Sequence, residues 1–423
     1  MTAQPIARVE RPFSVDVTLP GSKSIALRHI LMSTLADGPT RLVGVPRCDD
    51  VDSMFDAVGR LSVDVQRTGK HAHVVPPAEP FSLDVELDLG MSGVSLRLLL
   101  AQAALRTSTT RFTGHRQLHD RPNADLLDAL RVIGCEVEDD EGRLPIVVRG
   151  PATPAPETPL AMGVSSQYLS GLLLMAPSLP RGLTIHLRGS ATSASYVGVT
   201  QAEMARRGVE VRIVDPSTVT VPPGVYQGGD VVIEGDASAA TYHAALATLH
   251  GGRVHLANLG EATRQGDYAF LALCERIGAT VDRSDSRVTI EGPHRLRALG
   301  EVDMIDMPDA APTLMAMAPL LPTATHITGG QGNRPHRLRC RRVAQGRRPG
   351  RGIRRCGHRA AVRRTPVRRL RDLRGPPSGD GAVGAREQDR RLPRSRRGLR
   401  IEDLRRLLAG LRSNLLIHRN TWI

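Results

Sequence analysis

The sequence predicts an α/β fold assembled from repeats of one strand–helix–strand–helix–strand–strand unit of roughly 70 residues. Three observations predict it. First, an apolar helix, a short break and a β-branched strand recur at 24–43, 94–112, 166–186, 238–256 and 310–327, with Leu35, Leu105, Leu179, Leu249 and Leu321 spaced by 70, 74, 70 and 72. Second, a helix end, a Gly and two short strands around a polar turn recur at 57–75, 129–148, 204–221 and 273–290, with Gly59, Gly134, Gly208 and Gly278 spaced by 75, 74 and 70. Third, each unit is too large for a solenoid repeat and too small to bury both of its helices, so several units must share one interior.

In chain order, the run Val15–Leu19 reads as a strand, broken by Pro20 and Gly21. Ile25, Leu27, Ile30, Leu31 and Leu35 then follow helical spacing, and Ser22 or Ser24 can cap that helix. The next helices open on Gly90-Met91-Ser92-Gly93, Ser165-Ser166-Gln167, Asp236-Ala237-Ser238 and Pro308-Asp309-Ala310-Ala311. The four glycines are expected as left-handed helix C-caps. A sixth helix is due near residue 392 and a fifth glycine near 350, and neither is there.

Both gaps fall in an arginine-rich stretch that begins near Arg334. Residues 334–423 hold 28 Arg, no Lys and 6 acids; residues 1–333 hold 29 basic and 37 acidic residues. The overall charge of +14 therefore belongs to the tail, not to the mildly acidic body. The tail has no lysine, almost no aromatic residue for base stacking and scattered charge, which argues against nucleic acid as a partner. No apolar run reaches membrane-spanning length, and Met1–Pro12 has no signal-peptide core. Five cysteines without a CxxC spacing fit a reducing cytoplasm.

Polar residues concentrate at the repeated helix starts. Lys23 sits where backbone N–H groups are unpaired and the helix dipole is positive, and Arg28 lies one turn further on. Alone, this stretch reads equally well as a capped surface helix with solvated cations. If the units are arranged alike, their helix N-termini converge on an anion-attracting cleft. Arg121, before the helix begun by Pro122, is either a bidentate anion clamp or a solvated loop arginine. Asp309 is either an N-cap or a carboxylate poised for proton transfer. No metal-ligand cluster, nucleophile elbow or P-loop appears in the sequence.

Taken together, these residues resemble the 5-enolpyruvylshikimate-3-phosphate (EPSP) synthase family, from Gln4 to about Asn333. Leu19–Arg28 (LPGSKSIALR) is close to that family's signature, and Leu89–Arg97 resembles its LGNAGTAxR. Arg121-Pro122, Ser165–Ser170 and Pro308–Ala311 match three further motifs in order. Met91 stands where many members have Asn.

The resemblance implies a two-lobed, inside-out α/β fold, with helices inside and sheets outside. The first lobe would be 14–235, and 1–13 plus 236–333 an incomplete second lobe, with 334–423 poorly ordered. It implies transfer of the enolpyruvyl group of phosphoenolpyruvate to the 5-hydroxyl of shikimate 3-phosphate, in a cytoplasmic monomer without cofactor, metal, nucleic-acid or membrane partner. Lys23 would touch both substrates and steer protons. Ser24, Arg28, Ser165, Ser166, Gln167, Ser193 and Tyr196 would hold shikimate 3-phosphate. Gly93, Arg121 and Gln167 would receive phosphoenolpyruvate, and Asp309 would take the 5-hydroxyl proton. The UDP-N-acetylglucosamine enolpyruvyl transferases share that fold, but would show Lys-Asn in place of Lys23-Ser24 and a loop cysteine near Arg121. A non-catalytic anion-binding protein on the same scaffold is the alternative from another class.

Past Asn333 the family expects a K-E-x-D-R element, a D-H-R-x-A-M helix start and a late K-x-F-P, and none is present. An out-of-frame translation is favoured over a nucleic-acid-binding tail and over a disordered lineage-specific extension, which would replace a required half-lobe. Read from the second base of each codon, Gly375–Ala382 can encode Asp-His-Arg-Val-Ala-Met-Ala, and Ile401–Arg412 can encode Ser-Lys-Thr-Phe-Ala-Gly-Phe-Trp-Pro-Val-Tyr. The K-E-x-D-R element does not return cleanly around 334–342. The chain as written is therefore expected to be inactive or nearly so.

Overall fold

A computed structural model of the chain describes residues 12–77, 83–161, 165–189, 194–329 and 338–340. All of these fall within residues 1–343, the first of two units into which the chain divides. The expected lack of order in the arginine-rich tail concerns positions outside the described residues, apart from the short strand at 338–340.

The described helices are α1 (Lys23–Thr34), α2 (Asp49–Arg60), α3 (Gly93–Gln102), α4 (Arg116–His119), α5 (Ala124–Ile133), α6 (Ser166–Met175), α7 (Ala194–Arg206), α8 (Ala237–His250), α9 (Phe270–Ile277) and α10 (Ala311–Met317). The predicted repeat helices are α1, α3, α6, α8 and α10. In α1, α3 and α6 nearly every residue is buried, charged ones included. A helix buried on nearly every side has no face for water and sits in the interior, its polar groups mostly paired there. The interleaved α2, α5 and α9 bury only one stripe, such as Val51, Met54, Phe55 and Val58 of α2. The strands alternate buried and exposed residues, as in His71–Val75 and Arg143–Arg149. Each such sheet turns one face to the helices and one to solvent.

Helices α3 and α6 approach closely at Gly171. An added Cβ at Gly171 would stand 2.9 Å from the Arg97 carbonyl oxygen and 3.0 Å from the Ala101 Cβ. Gly171 thus lets two interior helices touch backbone to backbone.

Two hydrophobic cores form. One gathers α1, α2, α3, α5 and α6 around Leu27, Leu99, Tyr168 and Leu172. The other gathers Leu19, α8, α9 and α10 around Phe270, Leu273 and Leu314. Two strands exchange places between them. Ser14–Val17 pairs in parallel with Arg253–Leu256, and Gly229–Val232 pairs in parallel with Thr40–Val43. Residues 14–17 therefore pair outside the 14–235 span expected to hold them. The passages cross at glycines: Gly21 bridges Gly235, and the Ser22 N–H donates to the Glu234 carbonyl at 2.8 Å. A Cβ on Gly21 would fall 1.9 Å from the Gly44 carbonyl oxygen, so the crossing needs glycine.

Among the described residues there are five sheets, four of them with four strands each. The fifth, among the described residues, has three: Glu301–Asp303, Thr325–Thr328 and Leu338–Cys340.

Gly134 and Gly278 are left-handed C-caps, with φ of 108° and 118°. Gly208 takes φ 81° just past the end of α7. Gly59 does not follow. α2 continues through it to Arg60, and the left-handed turn falls on Ser62 at φ 63°. A shared glycine spacing marks the neighbourhood of a helix end, and the last hydrogen-bonded turn decides which residue carries the positive φ.

Candidate active site

The starts of α1, α3 and α8, the short turn Pro308–Ala310 and the beginning of α7 supply the candidate groups. The cap expected for α1 is not made within its own unit. Ser22 occupies the N-cap position, but its hydroxyl makes no cap bond and is buried without a partner. The Lys23 N–H instead donates to Asp236 Oδ2 at 3.1 Å, while Asp236 Oδ1 caps α8 through the Ala239 N–H at 2.9 Å. One carboxylate thus serves two helix N-termini from the two cores. Burial raises the Asp236 carboxyl, and those backbone donors work against the rise.

Around this junction lies a small, open recess, lined among others by Ser22, Ser24, Tyr196, Asp236, Ser238 and Asp267. The Tyr196 hydroxyl donates to Asp309 Oδ2. Burial, and then the facing Asp309 carboxylate, push that hydroxyl far above the ordinary tyrosine range, so it remains a donor at any working pH. Asp267, which the sequence reading passed over, accepts from the Ser238 hydroxyl. Burial lifts Asp267 to about 7, and the Asp309 and Asp236 carboxylates add to the rise.

A second patch lies at the α3 start. An added Cβ at Gly93 would be 2.5 Å from Arg121 Nη1 and 3.5 Å from Arg97 Nη1, so Gly93 leaves the room that these guanidinium groups fill. Arg97 Nη1 donates to Gln167 Oε1 at 2.6 Å, and its guanidinium lies 5.5 Å from the Tyr168 ring centre. The Tyr168 hydroxyl and Arg97 both donate to the Pro122 carbonyl, fixing the loop after Arg121. Ser165 caps α6 through the Gln167 N–H at 3.2 Å, and Ser166 is buried beside it.

Lys23 joins the two patches. Its Nζ donates to Asp50 Oδ2 at 2.9 Å. Burial alone would lower its ammonium, but Asp50, with smaller help from Cys48 and Asp309, leaves it above the ordinary lysine value. Asp50 was absent from the expected set because nothing about a second acid in the first turn of α2 marks it in the sequence.

Arg28 differs from its expectation of facing the cleft. It is 3 % exposed and donates to Thr200 Oγ1 at 2.8 Å, the Ser24 carbonyl at 2.7 Å, the Tyr196 carbonyl at 3.1 Å and Ser170 Oγ at 3.3 Å. Burial lowers it to about 10, which keeps it charged. In this structure it ties α1, α6 and α7 together from within. Ser193 lies outside the described residues. Arg121, Gly93 and Gln167 do not line the recess beside Asp236, and neither do Lys23 and Asp309.

Among the described residues no helix is long and apolar enough to cross a membrane. A family model described as EPSP synthase (3-phosphoshikimate 1-carboxyvinyltransferase) matches residues 8–338. The 3-phosphoshikimate 1-carboxyvinyltransferase of Cellvibrio japonicus is 36 % identical over 310 residues, 71 % of this chain and 72 % of the relative. That of Photobacterium profundum is 34 % identical over 326 residues, 75 % of each. A solved EPSP synthase from Acinetobacter baumannii shares the fold at 22 % identity, with a TM-score of 0.63 over 75 % of this chain and 74 % of that one. The chain belongs to the EPSP synthase (3-phosphoshikimate 1-carboxyvinyltransferase) family.

Proposed function

We propose that the seam between the two cores is the site at which the enolpyruvyl group of phosphoenolpyruvate passes to the 5-hydroxyl of shikimate 3-phosphate. The observation that carries this reading is the junction itself: the N-termini of α1 and α8 meet at Asp236, with Lys23 on one side and the Tyr196–Asp309 pair on the other. Two polyanions need positive helix ends and fixed cations to lie side by side, because their mutual repulsion grows steeply once water is excluded.

In this reading Ser24, Arg28, Ser165, Ser166, Gln167, Ser193 and Tyr196 hold shikimate 3-phosphate, and Gly93, Arg121 and Gln167 receive phosphoenolpyruvate. Asp309 takes the proton of the 5-hydroxyl as its oxygen bonds to C2 of phosphoenolpyruvate. The C3 methylene gains a proton, which Lys23 steers. The tetrahedral adduct then loses a C3 proton and its phosphate, restoring the double bond. Tyr196, fixed as a donor, orients the Asp309 carboxylate without competing for its proton. Arg28 acts on the ligand once binding draws it from its internal partners; until then it sets the spacing of Ser24, Ser170 and Tyr196. The protein works as a monomer in the cytoplasm.

The test is calorimetric titration of the full chain with shikimate 3-phosphate, followed by a phosphate-release assay with both substrates. Binding of shikimate 3-phosphate, with turnover slow or absent in the chain as written, is expected. No binding of shikimate 3-phosphate at millimolar concentration would sink the reading.

A further inference from the structure

Asp50 belongs to none of the motifs that carry the family resemblance, yet it stands where the two patches meet. It lies in the first turn of α2, and its backbone carbonyl accepts from Ser95 Oγ at 3.1 Å, which fixes the α2 start to the α3 start. Its carboxylate accepts from Lys23 Nζ at 2.9 Å. Burial works to raise this carboxyl, but Lys23, Ser92 and Arg121 together hold it below the usual carboxylate range. One anion therefore faces two cations that come from different elements. The lysine side chain is 43 % exposed and the aspartate 27 %, so the pair adds little to global stability. What it fixes is position. Without a counter-anion, Lys23 and Arg121 repel one another, and each is better solvated turned away.

We propose that Asp50 is a positioning residue for the phosphoenolpyruvate end of the site, holding the Lys23 ammonium in place and balancing Arg121 across the start of α3. This rests on the functional reading above. It also makes a prediction opposite in sign to the plain charge argument. A carboxylate next to an anion site repels the anion, so charge alone says that Asp50→Asn tightens phosphoenolpyruvate binding. Positioning says that the same change weakens it.

The sequence supplies a clean probe, because Lys23 and Lys70 are its only lysines. The full chain labelled with [ε-13C]lysine gives two signals, which Lys70→Arg assigns. Lys23 faces Asp50, Asp236, Asp309 and Cys48, so its titration reports on all four, and only Asp50 is changed. In Asp50→Asn the Lys23 midpoint is expected to fall by about one pH unit, and in Asp50→Glu to return most of the way. Phosphoenolpyruvate added in the presence of shikimate 3-phosphate, followed by the Lys23 signal, should bind Asp50→Asn about fivefold more weakly, close to 1 kcal/mol. An unchanged Lys70 signal and circular dichroism spectrum establish that the variant is folded; if Asp50→Asn is not, Asp50→Ser takes its place. The proposal is overturned if the Lys23 midpoint does not move, or if the variant binds phosphoenolpyruvate as tightly as the parent or more tightly. A parent Lys23 signal that neither substrate moves, with its midpoint still lowered in Asp50→Asn, overturns the functional reading and leaves the Asp50–Lys23 coupling standing.

Discussion

Asp236 accepts the Lys23 backbone N–H from 213 residues away and caps its own helix with its other oxygen. The site thus hangs on a contact between the start of the first repeat and the start of the fourth. Asp236→Ala removes both acceptors and leaves two helix N-termini short of a partner. Each lost cap costs about 1 kcal/mol, so a loss of about 2 kcal/mol in urea unfolding is expected. Shikimate 3-phosphate affinity should fall as well. Asp236→Asn keeps one acceptor oxygen for the two N–H groups and should lose about half as much stability.

Asp267 links stability to pH. Burial lifts its carboxyl to about 7, well above the ordinary aspartate value of 3.8. Below about pH 4 the folded and unfolded chains both hold this proton. Between 4 and 7 only the folded chain does, so stability falls as pH rises through that window. Above 7 both have lost it, and the cost of the buried charge remains. Asp267→Asn mimics the protonated acid. It should flatten the decline in urea midpoint between pH 4 and 7, and it should be more stable than the parent at pH 8. A decline left as steep as the parent's would remove Asp267 as its source.

Much of this architecture was legible in the chain, and the reason is physical. Helices such as α3 and α6 stand out in the sequence as largely apolar runs, and the family resemblance implies that they lie inside the sheets, where nearly every residue of both is buried. Lys23, Tyr196 and Asp309 lie in motifs at helix starts, and those starts do meet. What was not legible depends on contacts across the chain. No local pattern says that Ser22 leaves its capping role to Asp236, that Arg28 turns inward to Thr200, or that Asp50 meets Lys23. The exchange of Ser14–Val17 for Gly229–Val232 is likewise a property of two distant strands. Gly59 shows the converse limit, where a regular spacing reads past the true helix end.

The approach of α3 and α6 should tolerate no side chain at Gly171. Gly171→Ala places a methyl against the Arg97 carbonyl and the Ala101 Cβ, both held by interior helices. Overpacking of this kind costs about 1–3 kcal/mol, more than the gain in helix propensity from alanine returns. Because Arg97 also bonds Gln167, the shift should reach the site, weakening ligand binding along with thermal stability. A variant as stable as the parent would mean that the two helices slide freely.

The last prediction concerns residues 334–423. Every complete unit closes with a four-stranded sheet, whereas the sheet of Glu301–Asp303 has three strands among the described residues. The repeat calls for a further helix near residue 392, and a D-H-R-x-A-M element and the K-x-F part of K-x-F-P, with Ala in place of its Pro, return from the shifted frame near that position. They would bring back cations that the family uses at the phosphoenolpyruvate end. Replacing residues 334–423 by the shifted-frame translation should therefore raise phosphate release by at least about 100-fold, the scale of restoring charged groups that act in a transition state. In that chain Asp309→Asn should lower kcat by about 10²–10⁴-fold with little change in shikimate 3-phosphate affinity. Nucleotide sequence through codons 330–345 should show a one-base insertion or deletion relative to a continuous family frame. If the arginine-rich protein, verified by mass, turns over as fast as the reframed one, the tail is a working part of the enzyme and the frame argument fails.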